Sequence, residues 1–165
     1  MALTVEDGTV VANADALVSL SAANAYFSAR SDTAWTAATD PQKEAAIRYA
    51  SRWISQRYHW PGTIVDEDQS FAWPRDRAYD RDGRDLTDTV PARVLDAVCE
   101  TARFHLSNAI TTSISRNSTL ESVSLGSVAV AFRSDAPVRA FLPYVDELLS
   151  SIVVGGTSTA RVARG

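Results

Sequence analysis

Three groups of residues in this 165-residue chain carry side chains that could do chemistry. Asp76, Asp80, Asp82 and Asp85 surround Gly83, a spacing that suggests a calcium loop. An EF-hand with its glycine at Gly83 needs ligands at its first and twelfth positions. Those positions are Ala78 and Thr89, and Arg77, Arg81 and Arg84 bring positive charge to the same stretch. The reading is therefore an Asp-Gly turn neutralised by salt bridges. Cys99, Glu100 and His105 form the second group. A Cys–His pair could activate a thiolate. Six residues of helix turn the chain through about 600°, however, some 120° from alignment. A buried cysteine and a hydrogen-bonded histidine are expected instead. His59, between Tyr58 and Trp60, has no carboxylate nearby in sequence and reads as a loop-packing residue. The third group sets Trp53, Tyr58, Trp60 and Trp73 beside Arg52, Arg57, Arg75 and Arg77. Aromatics with arginines can stack bases and neutralise phosphates. The aspartates of the same loop cancel that charge, and the helical aromatics are expected to face a core. No phosphate-binding glycine loop, dinucleotide fingerprint or Gly-x-Ser-x-Gly elbow is present. The expectation is a chain with no catalytic residues, no cofactor and no metal site.

Composition bounds the scaffold that holds these groups. One domain suits the length, and hydrophobic residues at 45% with charged residues at 22% are ordinary for a globular chain. A chain this long buries roughly 70% of its unfolded surface. A single cysteine excludes an intrachain disulfide. The net charge of −4 argues against a surface that is wholly a nucleic-acid footprint. Every basic residue but Lys43 is arginine, which reads as coding composition rather than selected anion recognition. No apolar run approaches the ~20 residues of a membrane span, and the acidic N-terminus does not read as a secretory signal.

The elements follow from periodicity. Residues 1–18 read as an exposed extended arm with a turn at Asp7-Gly8. A short helix to about residue 29 is capped by Ser19 or Ser21, with Leu20, Ala23, Tyr26 and Phe27 as its apolar stripe. A helical turn at 33–38 places Trp35 inward. Asp40-Pro41 starts a helix to about residue 58, Asp40 as cap, with Ala46, Ile47, Ala50, Trp53, Ile54 and Tyr58 facing inward. Lys43 is assigned to a polar face. Residues 59–90 form a long central loop packed down by Trp60, Phe71, Trp73 and Tyr79. Pro91 opens a helix to about residue 110 whose apolar face carries Val94, Leu95, Val98, Ala102 and Leu106. The period then changes to two: a hairpin is expected over 122–133 with Gly126-Ser127 in its turn. A last helix covers 137–153, kinked or restarted by Pro143. The fold class is thus mainly α, a small helical bundle with one β-hairpin and extended N- and C-terminal arms. Its single domain spans 1–154, and a tail occupies 155–165.

Several segments carry a resemblance. They are Leu3-Thr4-Val5-Glu6-Asp7-Gly8-Thr9, Val18-Ser19-Leu20, Ala25-Tyr26-Phe27 and Ala34-Trp35. The 40–57 helix, Ala72-Trp73-Pro74-Arg75 and Val90-Pro91 complete the set. In this order they resemble the head–tail connector (adaptor, head-completion) proteins of tailed phages. Many members of that family are labelled DnaT-like single-stranded-DNA-binding proteins. The pattern departs from the family at Asp15-Ala16-Leu17 and over residues 75–88. The resemblance implies a helical subunit of a ring, commonly dodecameric. Its partners would be the portal protein, neighbouring copies of itself, and the next neck or tail-completion protein. Double-stranded DNA would pass without sequence-specific binding, and no membrane is involved. The location implied is the virion head–tail interface, after assembly from the host cytoplasm.

The basic tail is expected to dock on the portal through Arg161, Val162 and Arg164. An isolated hairpin is marginal in water, so Val123, Leu125, Val128, Val130 and Phe132 are expected at the subunit interface. The alternative is a single-stranded-DNA-binding module, whose affinity would fall steeply with salt.

Overall fold

The computed structural model describes residues 2–107 and 142–154, together with the backbone of 122–125 and 128–131. Two compact units result, one of Met1–Asn108 with Leu142–Gly165 and one of Ala109–Phe141. The first holds α1 (Leu20–Ser28), α2 (Thr33–Ala37), α3 (Asp40–Arg57), β1 (Thr63–Ile64), β2 (Arg75–Asp76), α4 (Ala92–Ser107) and α5 (Pro143–Leu149). The second holds β3 (Ser122–Leu125) and β4 (Val128–Ala131), paired antiparallel. The chain is mainly helical with a small hairpin, as its periodicity predicts.

Alternation of apolar and polar residues at helical spacing fixes the core. α3 packs chiefly against α4, and α4 against α5. Ile47, Ala50 and Ile54 of α3 meet a core that includes Val94, Val98 and Ala102 of α4 and Val145 and Leu149 of α5. Leu95 and Leu106, expected on the α4 face, are only partly buried. Ala97 and Thr101 are buried instead, because neighbours cover α4 on more than one side. Lys43 is not on a polar face. It is 8% exposed, with its Nζ 5.9 Å from the Trp35 ring centre and 3.8 Å from an Asp40 carboxylate oxygen. A lysine can bury its stem while its head reaches a charge.

The helix starts follow cap chemistry. Ser19 Oγ accepts from Ala22 N at 3.1 Å, and Asp32 Oδ1 accepts from Trp35 N at 2.7 Å. The cap of α3 is Thr39 rather than Asp40. Gln42 Oε1 accepts from Thr39 N at 2.9 Å, and Pro41 still falls where a helix needs no N–H donor. The described part of the last helix begins at Pro143, while 137–141 lie outside the described residues.

The N-terminal segment corrects the expectation of an exposed arm. Val5 and Ala16 form an isolated parallel bridge. Glu6 is 2% exposed. Its Oε1 accepts from Gly8 N at 2.9 Å and Val10 N at 3.0 Å, and its Oε2 accepts from Val11 N at 2.9 Å. A buried carboxylate is tolerated only when its oxygens are hydrogen-bonded. This one organises a closed loop, and Leu17 and Val18 then enter the core.

The central loop is tied down by its middle. Trp73 is 0% exposed, and Trp60 and Phe71 are buried beside it, but Tyr79 is 52% exposed and does no packing. The Trp73–Pro74 peptide is cis. Arg75 donates from Nε to Pro61 O at 2.5 Å, from Nη1 to Ala72 O at 3.0 Å and from Nη2 to Gly62 O at 2.8 Å. Gly62 (φ +69°) lets its backbone lie against that of residues 76–78, since a Cβ there would lie 2.2 Å from Asp76 O.

Candidate functional site

Each chemically suggestive group can now be placed. Cys99 is 3% exposed. Burial, with Asp96 and Glu100 nearby, pushes its thiol up to about 12, which disfavours the thiolate and suits a core residue. His105 packs against Tyr49 with ring centres 4.8 Å apart, and desolvation lowers its pKa below the ordinary value. His59 is exposed, contrary to a packing role, although its carbonyl accepts from Val154 N at 2.9 Å.

The Asp/Arg stretch is a turn. Asp80 Oδ1 accepts from Asp82 N and Arg84 N, both at 2.9 Å, and Asp80 Oδ2 lies 2.9 Å from Arg84 Nε. The backbone bond from Arg84, followed in effect by the Asp82 amide and the Arg84 charge, holds the Asp80 carboxyl below its usual range. Among the described residues no group of histidine, cysteine, aspartate or glutamate could hold a metal ion, and no helix is long and apolar enough to cross a membrane.

The arginine–aromatic set is mostly turned inward. Tyr58 stands edge-on to Trp53 and Trp60, and Trp60 edge-on to Trp73, with ring centres 6.3, 5.7 and 5.7 Å apart. Arg57 covers the Trp53 ring at 4.6 Å. Tyr58 OH donates to Asp146 Oδ1 at 2.6 Å, tying the end of α3 to α5. Desolvation, then the bond to Asp146, raises the Tyr58 pKa. Arg77 is exposed and pairs with Asp76 at 3.1 Å. Arg75 is committed to carbonyls as described. Tyr58, Trp60 and Trp73 therefore have no free ring face for a base.

Arg52 is the exception. Its side chain is exposed, without a hydrogen bond, ion pair or ring partner among the described residues. It borders a cleft of about 560 Å³ lined also by Asn13, Asp15, Ser55, Gln56 and Ser70. Sequence reasoning set Arg52 beside the aromatics and missed this cleft, because its walls come from three separate segments. The only local signal is the spacing of Arg52, Ser55 and Gln56 on one face of α3.

The expected interface positions lie partly within the described chain. The β3–β4 register sets Val123 opposite Val130 and Leu125 opposite Val128. Phe132 and the expected Gly126-Ser127 turn lie outside the described residues, as do Arg161, Val162 and Arg164.

A family model described as "Putative DnaT-like ssDNA binding protein" matches residues 1–165. The chain belongs to that family. Membership of this DnaT-like family covers the helical unit and the hairpin unit alike. Neither a curated protein nor a solved structure matches the chain.

Proposed function

We propose that this DnaT-like family member is a structural, non-enzymatic subunit of a tailed-phage particle. In this reading copies form a ring that joins the portal to the next neck or tail-completion component and lets duplex DNA pass. The observation that carries it is the fate of the Ala72-Trp73-Pro74-Arg75 tetrad. Trp73 is fully buried and Arg75 is committed to three carbonyls, so this tetrad serves the fold and offers no base-stacking surface. The β3–β4 hairpin adds support. Two strands alone are marginal in water, and pairing with a neighbouring copy through Val123, Leu125, Val128 and Val130 would stabilise them. The tail, with Arg161, Val162 and Arg164, would dock on acidic groups of the portal.

Imaging the neck of purified particles by cryo-electron microscopy tests the reading. A closed ring of this chain beneath the portal is expected, and its absence from the neck would overturn it. Deleting 155–165 should leave the fold intact and abolish portal attachment.

A second reading, single-stranded-DNA binding, is favoured by the family description over the ring. Inward-facing aromatics oppose a stacking platform, so such binding would rest on phosphate contacts. A salt titration tests it, since affinity carried by phosphate contacts falls steeply as salt rises.

A further inference from the structure

Arg52 is the one cation among the residues lining the cleft beside α3, which also include one carboxylate, Asp15. Asp15, on its wall, is already matched: Oδ2 accepts from Arg48 Nε at 2.6 Å and Oδ1 from Thr4 N at 2.7 Å. Arg52 has no such match among the described residues. The other polar groups at the cleft are neutral: the amides of Asn13 and Gln56 and the hydroxyls of Ser55 and Ser70. A guanidinium fork supported by neutral donors suits an oxyanion of single charge with two or more acceptor oxygens. At about 560 Å³ the cleft has room for a nucleotide-sized group rather than one carboxylate.

We propose that this cleft binds a phosphodiester group of DNA, with Arg52 supplying the charge and Gln56 and Asn13 orienting the oxygens. The proposal rests on the nucleic-acid reading above and gives it a location. The phosphodiester could come from a single strand or from a duplex, which present the same group to the fork. Phe71, at the cleft floor, is buried, so recognition is through the backbone and tolerates any sequence.

The test is fluorescence anisotropy at low salt. The probes are a labelled oligothymidylate of about ten nucleotides and a duplex of the same length. Arg52→Ala should weaken binding about tenfold and make the slope of log affinity against log salt shallower by about 0.7 for the single strand. Arg52→Lys should restore most of the slope. A thermal melt of Arg52→Ala matching the parent shows that the fold is intact. Tighter binding of one probe identifies the source of the phosphodiester. Unchanged DNA binding by Arg52→Ala would overturn the cleft while leaving the nucleic-acid reading standing. Failure of the parent chain to bind either probe would overturn both. Arg52-dependent binding of a polyglutamate peptide, without DNA binding, would reassign the cleft to a protein carboxylate and overturn the proposal.

Discussion

Arg75 and Arg52 stand at two ends of what an arginine can do in one subunit. Arg75 sits in the central loop with its donors on three backbone carbonyls. Removing it takes a side-chain donor from each of the Pro61, Gly62 and Ala72 carbonyls. Arg52 projects from α3 into a polar cleft with nothing described to hold it. The lesson is that residue type does not separate architecture from recognition. What separates them is whether the side chain's hydrogen-bonding capacity is already used inside the fold.

That comparison can be broken or sharpened by substitution. The largest effect is expected for Trp73→Ala, which empties a fully buried site and should cost about 3–5 kcal/mol. Urea unfolding measures it, and a loss under about 1 kcal/mol would show that the tetrad is not part of the core. Arg75→Lys comes next. Lysine keeps the charge but not the planar fork, so about 2 kcal/mol should be lost. If Arg75→Lys melts with the parent, the carbonyl contacts are dispensable and the contrast with Arg52 fails.

A smaller effect concerns pH. Desolvation lowers the His105 pKa from 6.5 in the folded state, so the unfolded chain binds the proton first. Stability should hold at neutral pH and fall as pH drops below 6.5, levelling once the folded pKa is passed. In His105→Gln that first step should vanish, leaving only the steeper loss at acid pH. Asp32 belongs to that later loss. The Trp35 amide, with Arg103 behind it, lowers its pKa from 3.8. Its contribution is therefore present above 3.8 and lost as pH falls through the folded value. The smallest effect on stability belongs to Arg52→Ala, within about 0.5 kcal/mol of the parent. A larger loss would mean that Arg52 is structural after all.

Much of the fold was legible in the chain. The apolar repeats of α3 and α4, Ser19 as one of two cap candidates, Trp35 turned inward and the change to period two at the hairpin are local signals. They depend on neighbours one to four residues away. The Asp80 turn was legible for the same reason, because its carboxylate serves amides two and four residues on. Other features were not. Glu6 reads as a surface charge until its loop closes around it. Lys43 reads as solvated until the fold sets its ammonium over the Trp35 ring. Tyr79 reads as a packing aromatic although neighbouring segments leave it bare.

The sequence by itself determined a helical chain with a hairpin and a central loop dense in aromatics and charge. Those follow from periodicity, capping and turn chemistry, which act over a few residues. Only the tertiary structure decided which arginine became architecture and which stayed available. Long-range burial governs that choice, because the same guanidinium is satisfied by carbonyls where segments converge and left to a ligand where they part.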